Sequence, residues 1–175
     1  MSLLTEKEIR GLELSDSQIK HLSRHFDNDE MLGSKFNPSF ADSPIELLAV
    51  VKKKLLESDS TFSWDRNRCE ISLCFPHYIG TDSIIAIDSL TEEQKKKVYK
   101  VKRESSSEYE VNAIDGILSP RTKQLNVILI KKDSNIRIAT IFPGVMAPSL
   151  PNKKFQTDEQ YLEAKSFWDR YAFIK

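Results

Sequence analysis

Apolar residues recur every three to four positions through much of the first 65 residues, and every second position through much of residues 66 to 143. The first period belongs to helices and the second to half-buried strands. "SDSQIKHLSRHF" predicts a helix capped by Ser15 or Ser17, with Ile19, Leu22 and Phe26 at helical spacing. "DNDEMLGSKFNPSFAD" is polar and turn-rich and predicts a loop. "SPIELLAVVKKKLLES" is the clearest helix: Ser43 as cap, Pro44 in the first position, Glu46 in the first turn and lysines later. Its Ile45, Leu47, Leu48, Val51, Leu55 and Leu56 form one wide apolar stripe for a core.

"RCEISLCF" alternates Cys69, Ile71, Leu73 and Phe75 against Glu70, Ser72 and Cys74. "HYIGTDSIIAIDSL" fits either strand or short helix after a turn at Gly80, and "TEEQKKKVYKVKRES" predicts a turn of helix capped by Thr91 and then a strand. "YEVNAI", "QLNVILIKK" and "IRIATIF" are three further strands, the last two joined by the polar hairpin loop "KDSN". "TDEQYLEAKSFWDRYAFI" predicts a closing helix capped by Thr157, with Tyr161, Leu162, Lys165 and Trp168 bracketing one face. The order predicts an α+β fold, with N-terminal helices packed on an antiparallel sheet of four to five strands and a C-terminal helix. A single domain over 1–175 is expected, divided into a helical part (1–65), the sheet (66–143) and a proline-rich arm with the terminal helix (144–175). Helices on one face of such a sheet leave the other open to solvent or a ligand.

Composition narrows the function classes. Lys plus Arg and Asp plus Glu both number 26, so any polyanion site has to be a local patch. The apolar runs are far shorter than the roughly 20 residues that span a bilayer, and charges interrupt the N-terminus too early for a signal peptide. Cys69 and Cys74 are the only cysteines and fall on opposite faces of one strand, so they predict two thiols rather than a disulfide. The expected location is cytoplasmic, unless a route that needs no cleaved signal exports the chain. No P-loop, GxGxxG, GxSxG or CxxC is present, and neither cofactor nor metal is expected. His21 and His25 are spaced like metal ligands on a helix, but no third ligand accompanies them and they are read as solvated; "DNDE" lacks the glycine and late Glu of a calcium loop.

Candidate chemistry lies at strand ends. His77 in "FPHYIGTDS" sits in a polar loop with Tyr78, Thr81, Asp82 and Ser83, and is either a proton shuttle or a His satisfied by loop backbone. Arg121 and Lys123 flank Thr122 at the mouth of a strand, suited to grip a phosphate or simply to solvate a turn. Arg103 falls on the less polar face of its strand, needing an anion or a Glu partner there, or else acting in catalysis. Thr140 is a lone hydroxyl among Ile136, Ile138 and Phe142, favoured either as a β-former or as a phosphate contact. Pro143 cannot continue a ladder and ends that strand; "PGVMAPSLP" beyond it predicts a stiff extended arm that runs back over the sheet.

The strand pair "NVILIKKDSNIRIATIFPG", whose second strand ends in Thr-x-Phe-Pro, with "HYIG" upstream, resembles the barnase–EndoU–colicin–RelE type of ribonuclease domain found in bacterial toxins and phage proteins. The likeness covers about residues 77–144. It implies metal-independent RNA cleavage by transesterification, with His77 as general acid or base, Thr140 at the scissile phosphate, and Arg121, Lys123 or Arg103 stabilising the phosphorane. Tyr78 and Thr81 would join Lys123 in binding substrate, and RNA and an immunity or antitoxin protein would be partners. Many members of the group carry a second His, whereas no His follows residue 77 here. The alternative is a non-catalytic protein-binding or regulatory module, which predicts a contiguous exposed patch containing Tyr78, Tyr109 or Trp64.

Overall fold

A computed structural model describes residues 2–26, 33–103 and 109–175. The N-terminal part contains α1 (Glu6–Arg10), α2 (Asp16–Ser23), the short strand β1 (Lys35–Phe36) and α3 (Pro44–Glu57). Local chemistry sets their starts. Thr5 caps α1, Ser15 (not Ser17) caps α2, and each forms a reciprocal capping box with the residue three positions on. The Ser43 hydroxyl accepts from Glu46 N–H at the start of α3.

Then follow β2 (Arg68–Cys74), β3 (Gly80–Thr81), β4 (Ile84–Ala86), a single 3₁₀ turn (Ile87–Ser89), α4 (Glu92–Lys95), β5 (Tyr99–Val101), β6 (Val111–Ile114) and β7 (Arg121–Thr122). The chain closes with β8 (Gln124–Lys132), β9 (Asn135–Pro143), α5 (Asp158–Arg170) and β10 (Tyr171–Ile174). The ambiguous stretch after His77 thus contains both strand and short helix. Among the described residues, no helix is long and apolar enough to cross a membrane.

The strands form three sheets, ordered β2-β8-β9, β1-β3-β7 and β4-β10-β6-β5, in place of one antiparallel sheet. The first is an antiparallel meander whose β8–β9 hairpin turns at Asp133 and Ser134 (φ 51 and 70), two consecutive left-handed residues that match the strand twist. Its Cys69, Ile71, Leu73, Leu125, Val127, Leu129, Ile138 and Ile141 share one hydrophobic cluster with Ile9, Leu22, Leu47, Val51 and Leu55 from α1–α3. The stripe on α3 is narrower than its composition predicts, since Ile45 and Leu56 remain exposed.

One sequence expectation for the C-terminal half fails. The closing helix stops at Arg170, and "YAFI" instead becomes β10, antiparallel to β4 and parallel to β6. A run of β-branched and aromatic residues is worth more as a central strand than as one more helical turn. Ala164 and Trp168 are the buried residues of α5, while Leu162 is exposed. The arm packs on the β4-β10-β6-β5 sheet and α5. Val145, Ala147 and Leu150 pack with Ile84, Val111, Ala164 and Trp168, and Trp168 Nε1 donates to Pro148 O (3.1 Å).

The second face of the β2-β8-β9 sheet is open along β2, where Glu70, Ser72 and Cys74 are exposed, and partly covered along β8 and β9. A register shift between Ile128 and Leu129 pairs them with Thr140 and Ile138, leaving Ala139 as an extra residue in β9. This bulge reverses the alternation, so that Ile138 and Ile141 both enter the core while Thr140 lies across from Ile128. On that side Asn126 and Ile128 are buried, with Asn126 Nδ2 donating to Gly144 O (2.7 Å) and Ser72 Oγ to Asn126 Oδ1 (2.8 Å).

Candidate functional site

The segment between β2 and β3 is anchored by alternate residues. Phe75 and Ile79 are buried, and their N–H groups donate to Lys123 O (2.9 Å) and Thr122 O (2.8 Å). Pro76, His77 and Tyr78 lie between these anchors and are exposed. The Tyr78 carbonyl is held by Asn37 Nδ2 (3.1 Å). The His77 ring lies 6.3 Å from Phe75 and 6.4 Å from Phe40, centroid to centroid.

Arg121 and Lys123 reach the same place from β7 and the residue after it. The Arg121 guanidinium lies 4.2 Å from the Tyr78 ring centroid and the Lys123 ammonium 5.1 Å from it. Each such contact at an exposed site is worth about 0.5–1 kcal/mol, little enough for both cations to exchange the ring for a stronger anion. Thr81 pairs directly with Arg121 across β3 and β7, and its hydroxyl donates to Gly33 O (2.8 Å). His77, Tyr78, Thr81, Arg121 and Lys123 therefore gather at one end of the molecule.

Thr140 and Arg103 do not join them. Thr140 pairs with Ile128, five residues beyond Lys123 along the chain. At about 3.4 Å per residue this is roughly 17 Å away. The Arg103 guanidinium stacks 3.9 Å from the Phe173 ring centroid, beside the β4-β10-β6-β5 sheet, well away from the cluster. Glu104 and the "DNDE" stretch lie outside the described residues. Trp64 is only 3% exposed and Tyr109 half-buried, so with Tyr78 they form no exposed aromatic patch. Cys69 is buried and Cys74 exposed, both free.

Behind the cationic cluster sits a group that sequence reasoning placed only in a polar loop. Asp82 is 6% exposed, and its carboxylate accepts from Val145 N–H (2.7 Å) and Ile84 N–H (3.2 Å). Burial pushes its pKa up from the ordinary carboxylate range, while backbone N–H groups from Val145, Ile84 and Ser83 oppose that shift. Gly144 packs against it at φ +117, where a Cβ would overlap the carboxylate. Around it Asp82 N–H donates to Pro120 O (2.9 Å), Ser34 Oγ to Pro143 O (2.9 Å) and Gly33 N–H to Ser119 Oγ (2.9 Å). What ends β9 is thus a knot of four chain segments around one carboxylate, one residue from Thr81. The clue in sequence is an Asp shortly before a strand together with a Gly after Phe-Pro; neither says that the two meet.

The histidines of α2 also separate. His21 is exposed, but His25 lies beyond the helix end, partly buried, with Nδ1–H donating to Ser34 O (2.6 Å). Burial first, then Arg24, His21 and Lys35, lower its pKa despite the Ser34 bond. His25 is therefore a partly buried, packed residue rather than a solvated one, and burial favours its neutral form. Among the described residues no cluster of three or more His, Cys, Asp or Glu side chains is placed to hold a metal ion. Comparison with protein-family models found no match, and comparison with curated proteins found none either.

Proposed function

We propose that the chain is a ribonuclease-like, RNA-binding α+β domain whose contact surface is the His77–Tyr78–Arg121–Lys123 cluster. The observation that carries the reading is the pairing of two exposed cations with one exposed tyrosine ring, at 4.2 and 5.1 Å. A guanidinium and an ammonium grip a phosphate through charge-assisted hydrogen bonds, and an aromatic face stacks a base without regard to its identity. The contact is local, which suits a chain carrying 26 cationic and 26 acidic residues.

Cleavage is a second reading, favoured by the exposed His77 beside that cluster. In it the imidazole takes the proton of a ribose 2′-hydroxyl as O2′ attacks phosphorus. The P–O5′ bond then breaks, and the leaving oxygen takes its proton from water. Arg121 and Lys123 neutralise the developing charge. Thr140 has no part in this version, because it lies too far along β8–β9.

The test is a metal-free incubation with labelled RNAs, read both for complex formation and for 2′,3′-cyclic phosphate ends. Binding lost in Arg121→Gln/Lys123→Gln supports the surface. Cyclic ends lost in His77→Ala, with binding kept, add the cleavage step. No complex at low salt with any RNA rejects both.

A further inference from the structure

The positive surface does not end at β7. We infer that it continues across β3 and β1 to the C-terminal end of α2, so that its ligand is an extended single-stranded RNA rather than one phosphate group; the inference rests on the RNA-binding reading above. Register carries the first step. Lys35 pairs with Thr81, and Thr81 with Arg121, which sets the three side chains in one row on one face of the β1-β3-β7 sheet. Two strand spacings place Lys35 and Arg121 about 10 Å apart at the backbone.

Lys35 carries the second step. Its ammonium donates to the carbonyl of Arg24 (2.6 Å), just past the end of α2, and so brings the row to that helix terminus. Arg24 Nη2 there contacts both ring nitrogens of His21, at 2.9 Å from Nε2 and closer still to Nδ1. Arg24 and His21 are exposed and Lys35 is half-exposed. Among the described residues, the charged groups acting on His25, near this end of the helix, are Arg24, His21 and Lys35, all cationic or titrating to cations. Among the described residues this band runs His21, Arg24, Lys35, Arg121, Lys123, interrupted by the Thr81 hydroxyl and the Tyr78 ring.

That sequence of groups suits a chain of phosphates with a base against Tyr78, rather than a single anion. Asp27, Asp29 and Glu30 follow α2 in the sequence, so the test counts contacts residue by residue instead of relying on net charge.

The experiment measures affinity of the full chain for a fluorescein-labelled oligouridylate across a salt series, with circular dichroism of each variant as the check on folding. Arg24→Gln and Lys35→Gln are each expected to weaken binding and to lower the slope of log affinity against log salt by about 0.7, the value of one phosphate contact on a single strand. Unchanged slopes in these two, with lower slopes in Arg121→Gln and Lys123→Gln, would overturn the extension and leave the RNA-binding reading standing. Absence of wild-type binding at low salt would remove that reading itself. A labelled polyglutamate peptide bound as tightly, with the same response to the variants, would overturn the RNA assignment in favour of an acidic protein segment.

Discussion

Asp82 and Arg121 belong to neighbouring segments at one end of the molecule, and the fold treats their charges in opposite ways. Arg121, with Lys123, is held outside over an exposed ring by contacts of about 1 kcal/mol or less. Asp82 is held inside, with backbone N–H groups from Val145 and Ile84 as its hydrogen-bond donors. The two are linked through backbone, since Asp82 N–H donates to the carbonyl of Pro120, next to Arg121. A surface that must exchange partners keeps its own side-chain bonds weak and takes its precision from the frame behind it. Burial of a carboxylate is costly unless its hydrogen bonds are made, so a knot built around one tolerates little change.

That contrast can be broken most forcefully at Gly144. Gly144→Ala adds a methyl group to a left-handed position already in contact with Asp82 and is expected to cost about 3 kcal/mol or more in urea unfolding. A cost below that of an ordinary surface change would show that the knot is loose. Asp82→Asn comes next, with a loss of about 1–3 kcal/mol, because the amide keeps one oxygen and leaves one of the two backbone donors facing an NH2 group. Its pH dependence has a definite sign. A carboxyl with a raised folded pKa binds protons more readily when folded, so wild-type stability falls as pH rises from the ordinary carboxylate value through the raised one. The difference between wild type and Asp82→Asn should therefore be largest in acid and shrink with rising pH; a difference that grows instead would rule out a carboxylate strained by burial.

His25, bonded to Ser34 of the same knot, sharpens the comparison. Its folded pKa is lowered, so the unfolded chain takes up the proton more readily and stability is lost as pH falls below about 6.5. Melting curves of His25→Gln should lack that loss. On the exposed side, Arg121→Gln and Lys123→Gln are expected to stay within about 0.5 kcal/mol of wild-type stability while weakening RNA binding. Unfolding of either variant would make these cations structural. Smallest of all, Thr140→Ser should leave RNA affinity unaltered, and a clear loss of affinity would return Thr140 to the site.

The candidate cluster was legible as residues but not as a set. Each of His77, Tyr78, Thr81, Arg121 and Lys123 stood out for its own chemistry at a strand end, and β3–β7 pairing then brought them together. Thr140 stood out by the same reasoning and fell away, because its pairing with Ile128 sets it five residues along β8 from Lys123. Arg103 was read as needing an anion, although an aromatic ring serves a guanidinium as well, and Phe173 reaches it only because β10 is a strand. Asp82 could not be found at all by such reasoning. Its partners lie on Val145 and Gly144, more than sixty residues away in sequence.

What the chain decides alone are the features whose hydrogen bonds and packing lie within a few residues. The caps at Ser15, Ser43, Thr91 and Thr157 belong here, as do the alternation of β2 and the tight turn between β8 and β9. The Thr157 cap starts α5 without fixing where it ends. That end, the parallel pairing of β10 with β6, the burial of Asp82 and the partial burial of His25, and the burial of Asn126 and Ile128 on the second sheet face were decided only when distant segments met. The reason is energetic: a strand's partner, a bulge and a buried charge gain their stability from hydrogen bonds and excluded water supplied by another part of the fold. Local propensity, worth a few tenths of a kcal/mol per residue, is too weak to choose among them.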